Sequence, residues 1–168
     1  MRVSFRKVIT TMALLALIAS CKQKPADIPR LSFEENLQQQ LIEAEPGDTI
    51  EIPAGIYYLT RSLSLNVPGV SIKGEGINTS ILSFKNQQQG AEGLLVSAND
   101  FTIEDLAIED TIGDALKINE SSNVVIRNVR AEWTNGPATS NGAYGIYPVQ
   151  SSNILIDGAV AIGASDAG

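Results

Sequence analysis

No histidine occurs anywhere in the chain. That absence excludes every His-based general base, catalytic triad and imidazole zinc site from these residues. Cysteine occurs once and methionine twice, which argues against a metal-handling role built on soft ligands. Positive charge is scarce, with 12 Lys and Arg against 19 Asp and Glu, for a net charge of −7. Such a balance argues against a nucleic-acid or anionic-lipid surface. Long apolar runs are missing too. The longest, residues 8–18, is interrupted only by Thr10 and Thr11 and is too short for a bilayer core that needs about 17–25 residues.

What that short run does fit is an export signal. Arg2, Arg6 and Lys7 precede it, and the small residues Ala19 and Ser20 follow. Cys21 comes immediately afterwards, and Ile18-Ala19-Ser20-Cys21 resembles the bacterial lipobox, with Ile18 where Leu is commoner. The resemblance implies cleavage before Cys21 and diacylation of its thiol, and two acyl chains suffice for stable anchoring. It also implies that Lys22, in place of an acidic residue, permits sorting to the outer membrane of a Gram-negative cell. Residues 1–20 are therefore expected to be a signal peptide and 21–31 a lipidated, Pro-containing tether. Losing Arg2, Arg6 and Lys7 leaves nine basic residues against nineteen acidic ones, a net of −10. Polyuronates remain open as partners, because calcium can bridge two acidic surfaces.

Only one helix signal stands in the remainder. Ser32 and Glu35 form a capping box, and Phe33, Leu37, Leu41, Ile42 and Ala44 fall near one face at helical spacing. Pro46-Gly47 ends the helix. From Asp48 onward the hydrophobic period becomes 2, with short strands between Gly, Asn, Asp and Ser. Four segments then share one template: Gly69-Val70-Ser71-Ile72-Lys73-Gly74, Asp100-Phe101-Thr102-Ile103-Glu104-Asp105, Asn123-Val124-Val125-Ile126-Arg127-Asn128 and Asn153-Ile154-Leu155-Ile156-Asp157-Gly158. Both flanks hold only Gly, Asn or Asp, the residue types that tolerate a left-handed bend. The template isoleucines are 31, 23 and 30 residues apart, the length of one solenoid coil of three short strands. A sandwich would want hairpins and no fixed repeat, and a leucine-rich solenoid would want a Leu pattern that is missing. The expected fold is all-β, a right-handed parallel β-helix with a short N-terminal capping helix, over residues 32–168.

Glu45-Pro46-Gly47-Asp48-Thr49-Ile50-Glu51-Ile52-Pro53-Ala54-Gly55-Ile56-Tyr57, preceded by the amphipathic helix, resembles the first coil of pectin-lyase-like β-helix proteins. The resemblance implies that the helix plugs one end of the solenoid, the capping role that repeat proteins require. Together with the lipobox it implies a bacterial parallel-β-helix-repeat lipoprotein of the cell envelope. Superfamily enzymes include lyases, hydrolases, pectin esterases and uronan epimerases. The histidine-bearing signatures of the epimerases and hydrolases are absent here. A lyase would use an Arg or Lys base beside calcium-binding carboxylates, for which Arg127 and Arg130 with Asp100, Glu104, Asp105, Glu109, Asp110 and Asp114 are the candidates. No cofactor signature is evident, and calcium is the ion the lyase alternative would require.

A structural account competes for the same residues. Lys73, Glu104, Arg127 and Asp157 share one outward template position, so stacked coils place them in a column of alternating charge. Trp133 is either the last core residue of its strand or a groove-lining platform, the core being preferred. Tyr57, Tyr58, Tyr144 and Tyr147 are the other aromatics able to stack on sugar rings. Residues 134–145 form the longest excursion near the repeats and the favoured functional insertion. Two readings follow. One is a lipid-anchored envelope protein presenting a face to a polysaccharide or a partner protein. The other is a polysaccharide lyase whose catalytic coils lie beyond residue 168, since the repeat is expected to continue there.

Overall fold

The computed structural model describes residues 31–168. The expected signal peptide, Cys21 and the expected tether to residue 30 lie outside the described residues. Helix α1 spans Phe33–Glu43. Twelve strands follow: β1 (Thr49–Glu51), β2 (Gly55–Tyr58), β3 (Arg61–Leu65), β4 (Ser71–Lys73), β5 (Ser80–Ser83), β6 (Gln89–Val96), β7 (Thr102–Glu109), β8 (Leu116–Asn119), β9 (Ser122–Glu132), β10 (Ile146–Val149), β11 (Ser152–Asp157) and β12 (Val160–Ile162). Every pairing between them is parallel.

These pairings wind the chain into a solenoid with three faces. Face one stacks β1, β4, the first half of β7, the first half of β9 and β11. Face two stacks β2, β5, the second halves of β7 and β9, and β12. Face three stacks β3, β6, β8 and β10. Four coils begin at β1, β4, β7 and β9, and a fifth begins at β11.

The template isoleucines stack as expected, with Ile72, Ile103, Ile126 and Ile156 in successive register. Ile50 extends the column by one residue. It escaped the sequence template because Asp48 and Ile52 stand where an apolar residue and a turn residue are required. Ile72, Ile103 and Ile126 are buried, and Ile156 is 47% exposed. Its register partner is Ile126 on β9.

The bends follow the template closely. Gly69, Asp100, Asn123 and Asn153 at the first flank all have positive φ, as do Asp105, Asn128 and Gly158 at the second. Side-chain amides link successive bends: Asn123 donates to Asp100 at 2.9 Å, Asn153 to Asn123 at 2.7 Å, and Asn128 to Asp105 at 3.1 Å. Gly74 is the exception, since its φ is not positive. Glycine is needed there for space, because a Cβ would stand 2.2 Å from the Asp105 carbonyl oxygen.

Helix α1 closes the solenoid beside the first coil. Its Ser32–Glu35 capping box is present, and Leu37 and Leu41 join the solenoid core. Phe33 stacks on Tyr57 with ring centroids 3.6 Å apart. Glu34 accepts the backbone amides of Thr60 and Arg61, each at 2.9 Å, tying the first helical turn to the bend before β3. Ile42 is 67% exposed, contrary to the expectation that it faces the core. At 100° per residue it lies one step round from Leu41, and the side of the helix packed on the solenoid carries Phe33, Leu37, Leu41 and Ala44.

Pro148 lacks the amide that a ladder uses, yet β10 forms and pairs with β8. Gly145 and Val149 direct their carbonyls toward the β8 side, accepting from Leu116 and Glu120. Alternation therefore turns Pro148 away from β8, where its missing N–H breaks no bond in that ladder.

Candidate functional site

The outward charge column lies on face one as expected. Lys73 pairs with Glu104 at 3.0 Å, Glu104 with Arg127 at 3.4 Å, and Arg127 with Asp157 at 3.8 Å. Glu51 adds a fifth member in register with Lys73. The hydrogen bond to Glu104 is the chief cause that holds the Lys73 ammonium above its ordinary pKa. Arg127 is thus one rung of a solvent-exposed ladder, where each pair contributes about 0–1 kcal/mol.

Arg130 corrects its assignment as a surface residue. Its side chain is only 11% exposed. One guanidinium nitrogen meets Glu109 at 2.7 Å, another meets Glu132, and Nε donates to the Ile77 carbonyl at 3.1 Å. Strand alternation does point Arg130 outward, but the 74–79 loop lies across it. Every direction of its fork is committed, which leaves it no role as an accessible base.

Trp133 is a core residue, 4% exposed, with its indole N–H donating to the Thr111 carbonyl at 2.8 Å. It borders a cleft of about 200 Å³ that Lys85, Asp110, Asn135 and Asn141 also line. The 133–145 connection is held down rather than splayed. Thr134 donates its amide and hydroxyl to Asp110, and Asn141 donates to the carbonyls of Gly136 and Gly163. Arg127, Arg130 and Asp114 do not converge: they stand on face one, face two and the bend before face three. Among the described residues no group of three or more Cys, Asp or Glu is placed to hold a metal ion.

Face three gathers a different set. Register pairing aligns Leu95, Lys117 and Tyr147 on β6, β8 and β10, one strand spacing apart. The Lys117 ammonium lies 5.8 Å from the Tyr147 ring centre. It is also 3.5 Å from Glu92 and 3.6 Å from Asp114. Tyr144 stacks on Tyr147 with centroids 4.2 Å apart and planes 21° from parallel. The backbone brings Asp166 beside it, with the Asp166 amide donating to the Ala143 carbonyl at 3.1 Å, and interaction with the Asp166 carboxylate raises the phenol's pKa above the usual tyrosine value.

Close backbone packing brings these groups together. Glu92, Asp114 and Tyr144 each stand two residues before the register-paired Leu94, Leu116 and Ile146. A Cβ on Gly93 would lie 2.6 Å from the Ala115 carbonyl oxygen, on Gly113 2.7 Å from that of Ala91, and on Gly142 1.8 Å from that of Gly113. Glycine at these positions lets consecutive bends touch. The aromatic pair was legible in the sequence as sugar-stacking candidates. Lys117, Glu92 and Asp166 were missed, although the three strand openings Glu92-Gly93-Leu94, Asp114-Ala115-Leu116 and Tyr144-Gly145-Ile146 align in sequence.

Taken together, the parallel coils, the bend chemistry and the helical cap define a right-handed parallel β-helix of the pectin-lyase-like fold. Among solved structures, a pectin methylesterase mutant in complex with hexasaccharide IV is similar, with a TM-score of 0.55 and 16% sequence identity. The match covers 74% of this chain and 44% of that one, so the chain spans less than half the length of this neighbour. At that identity the likeness shows the fold alone. No protein-family model and no curated protein matches the chain.

Proposed function

We propose that this is a lipid-anchored cell-envelope protein whose face three binds a polysaccharide. The observation that carries the reading is the Tyr144–Tyr147 stack flanked by Lys117, Glu92, Asp114 and Asp166. Aromatic faces take the apolar side of a sugar ring, while carboxylates and an ammonium accept and donate bonds at its hydroxyl rim. The β-helix neighbour's complex with a hexasaccharide supports a carbohydrate-related role. A lyase reading draws no support from the arrangement of Arg127, Arg130 and Asp114, which share no cavity.

Replacing Tyr147 by Ala removes the platform beneath both Tyr144 and Lys117. On a panel of envelope polysaccharides in affinity electrophoresis, Tyr147→Ala is expected to weaken retention about tenfold. A far-UV circular dichroism spectrum like the parent's would accompany that loss. Retention equal to that of the parent would place the binding surface elsewhere, for instance in a protein partner's interface.

Anchoring rests on Cys21, the sole cysteine, at the end of an export signal. Metabolic labelling with a palmitate analogue is expected to mark the parent and not Cys21→Ser, which should be released or misprocessed. Label that persists on Cys21→Ser would overturn the anchor. Localisation to the outer membrane follows from Lys22 and is read by fractionating the labelled cells.

A further inference from the structure

Resting on that saccharide-binding reading, we infer that face three selects a glycan bearing protonated amino groups, such as a partly de-N-acetylated hexosamine polymer, over a polyuronate. Glu92 and Asp114 flank Lys117, and Asp166 follows on the segment that bonds back to Ala143 and bridges to Tyr144, so three carboxylates stand by the tyrosine pair against the one ammonium of Lys117, a formal charge of −2. Lys117 is already committed, lying within 3.6 Å of both Glu92 and Asp114. It has little charge left to offer a uronate, whose own carboxylates would meet three more. The other cation of this face, Arg61, pairs with Glu34 at the helix end of the sheet.

An ammonium on the ligand meets the opposite situation. It brings three N–H donors to a site rich in acceptors, and Glu92 and Asp114 have lone pairs beyond those facing Lys117. The stacked rings of Tyr144 and Tyr147 add a quadrupole that attracts a cation close to their faces. The net charge of the whole chain, −7, concentrates polycations and repels polyanions at longer range. An N-acetylated hexosamine keeps the same ring for stacking but lacks the charge. It therefore separates the aromatic contribution from the electrostatic one.

The experiment is calorimetric titration of the purified full chain with oligomers of glucosamine, N-acetylglucosamine and galacturonic acid of equal length, the last with and without calcium. The glucosamine oligomer is expected to bind about tenfold tighter than the N-acetylated one, with the galacturonate weakest in either condition. Asp166→Asn, at an exposed position, is expected to draw that ratio toward unity. Equal affinity for the amino and N-acetyl oligomers, or a ratio that Asp166→Asn leaves at its parent value, would overturn the selection. Tightest binding to galacturonate, with calcium or without, would also overturn it while leaving saccharide binding at this face intact. Absence of binding to all three would remove the saccharide reading itself, and the selection with it.

Discussion

Arg130→Ala is expected to lower the unfolding free energy by about 3–5 kcal/mol, as when one member of a buried ion pair is removed. The reason lies in register. Glu109 and Glu132 are paired neighbours on β7 and β9, so two like charges stand about one strand spacing apart. Arg130 is the counterion that both share, and its side chain and that of Glu109 are only 11% and 12% exposed. Removing it leaves two adjacent carboxylates and the Ile77 carbonyl without their partner. Lysine is expected to recover only part of the loss, because a single ammonium cannot reproduce the guanidinium fork. Arg130→Met combined with Glu109→Gln and Glu132→Gln should recover most of it, since the unpaired charge goes with the pair. Urea unfolding followed by circular dichroism measures all three. A loss below about 1 kcal/mol for Arg130→Ala would mean that the site relaxes into water and behaves as a surface pair.

Ile103→Ala and Ile126→Ala are each expected to cost about 2–5 kcal/mol. Both residues hold the same template position and are direct register partners. Ile126 is fully enclosed between the coils above and below, so deletion of its methyls leaves a cavity that parallel strands on both sides cannot collapse into. Ile103 is likewise fully enclosed, with Ile72 and Ile126 as its register neighbours. The comparison uses unfolding midpoints at constant slope, so that a change in cooperativity is not mistaken for stability. Losses below about 1 kcal/mol at both positions would show that coil stacking does not set the energetics of the column.

Much of the fold could be read directly from the residues, because a solenoid repeats local chemistry. Left-handed bends demand Gly, Asn or Asp at fixed places, and the flanks of four segments carry only those types. Inward alternation placed Ile72, Ile103 and Ile126 in the core, and the shared outward position placed Lys73, Glu104, Arg127 and Asp157 in one ladder. The capping box at Ser32 and Glu35 marked the helix start. Each of these depends on neighbours within a few residues or on a regular register, so the chain records them without reference to its folded shape.

The functional surface is of another kind. Lys117, Glu92, Asp166 and the tyrosine pair come from different coils, and nothing in their own segments marks them as partners. They meet because glycines at 93, 113 and 142 let the bends of face three pack against one another. Arg130 looked like a surface residue from its strand position, and only the loop across face two turned it into a partly buried counterion. Ile42 lay on the helical apolar stripe, yet the solenoid packs against Phe33, Leu37, Leu41 and Ala44 and leaves Ile42 exposed. Period and bend chemistry were determined by the sequence itself, since they are short-range steric and hydrophobic demands. Which outward side chains are covered, paired or left open was decided by the tertiary structure, because burial depends on what the rest of the chain lays over each position.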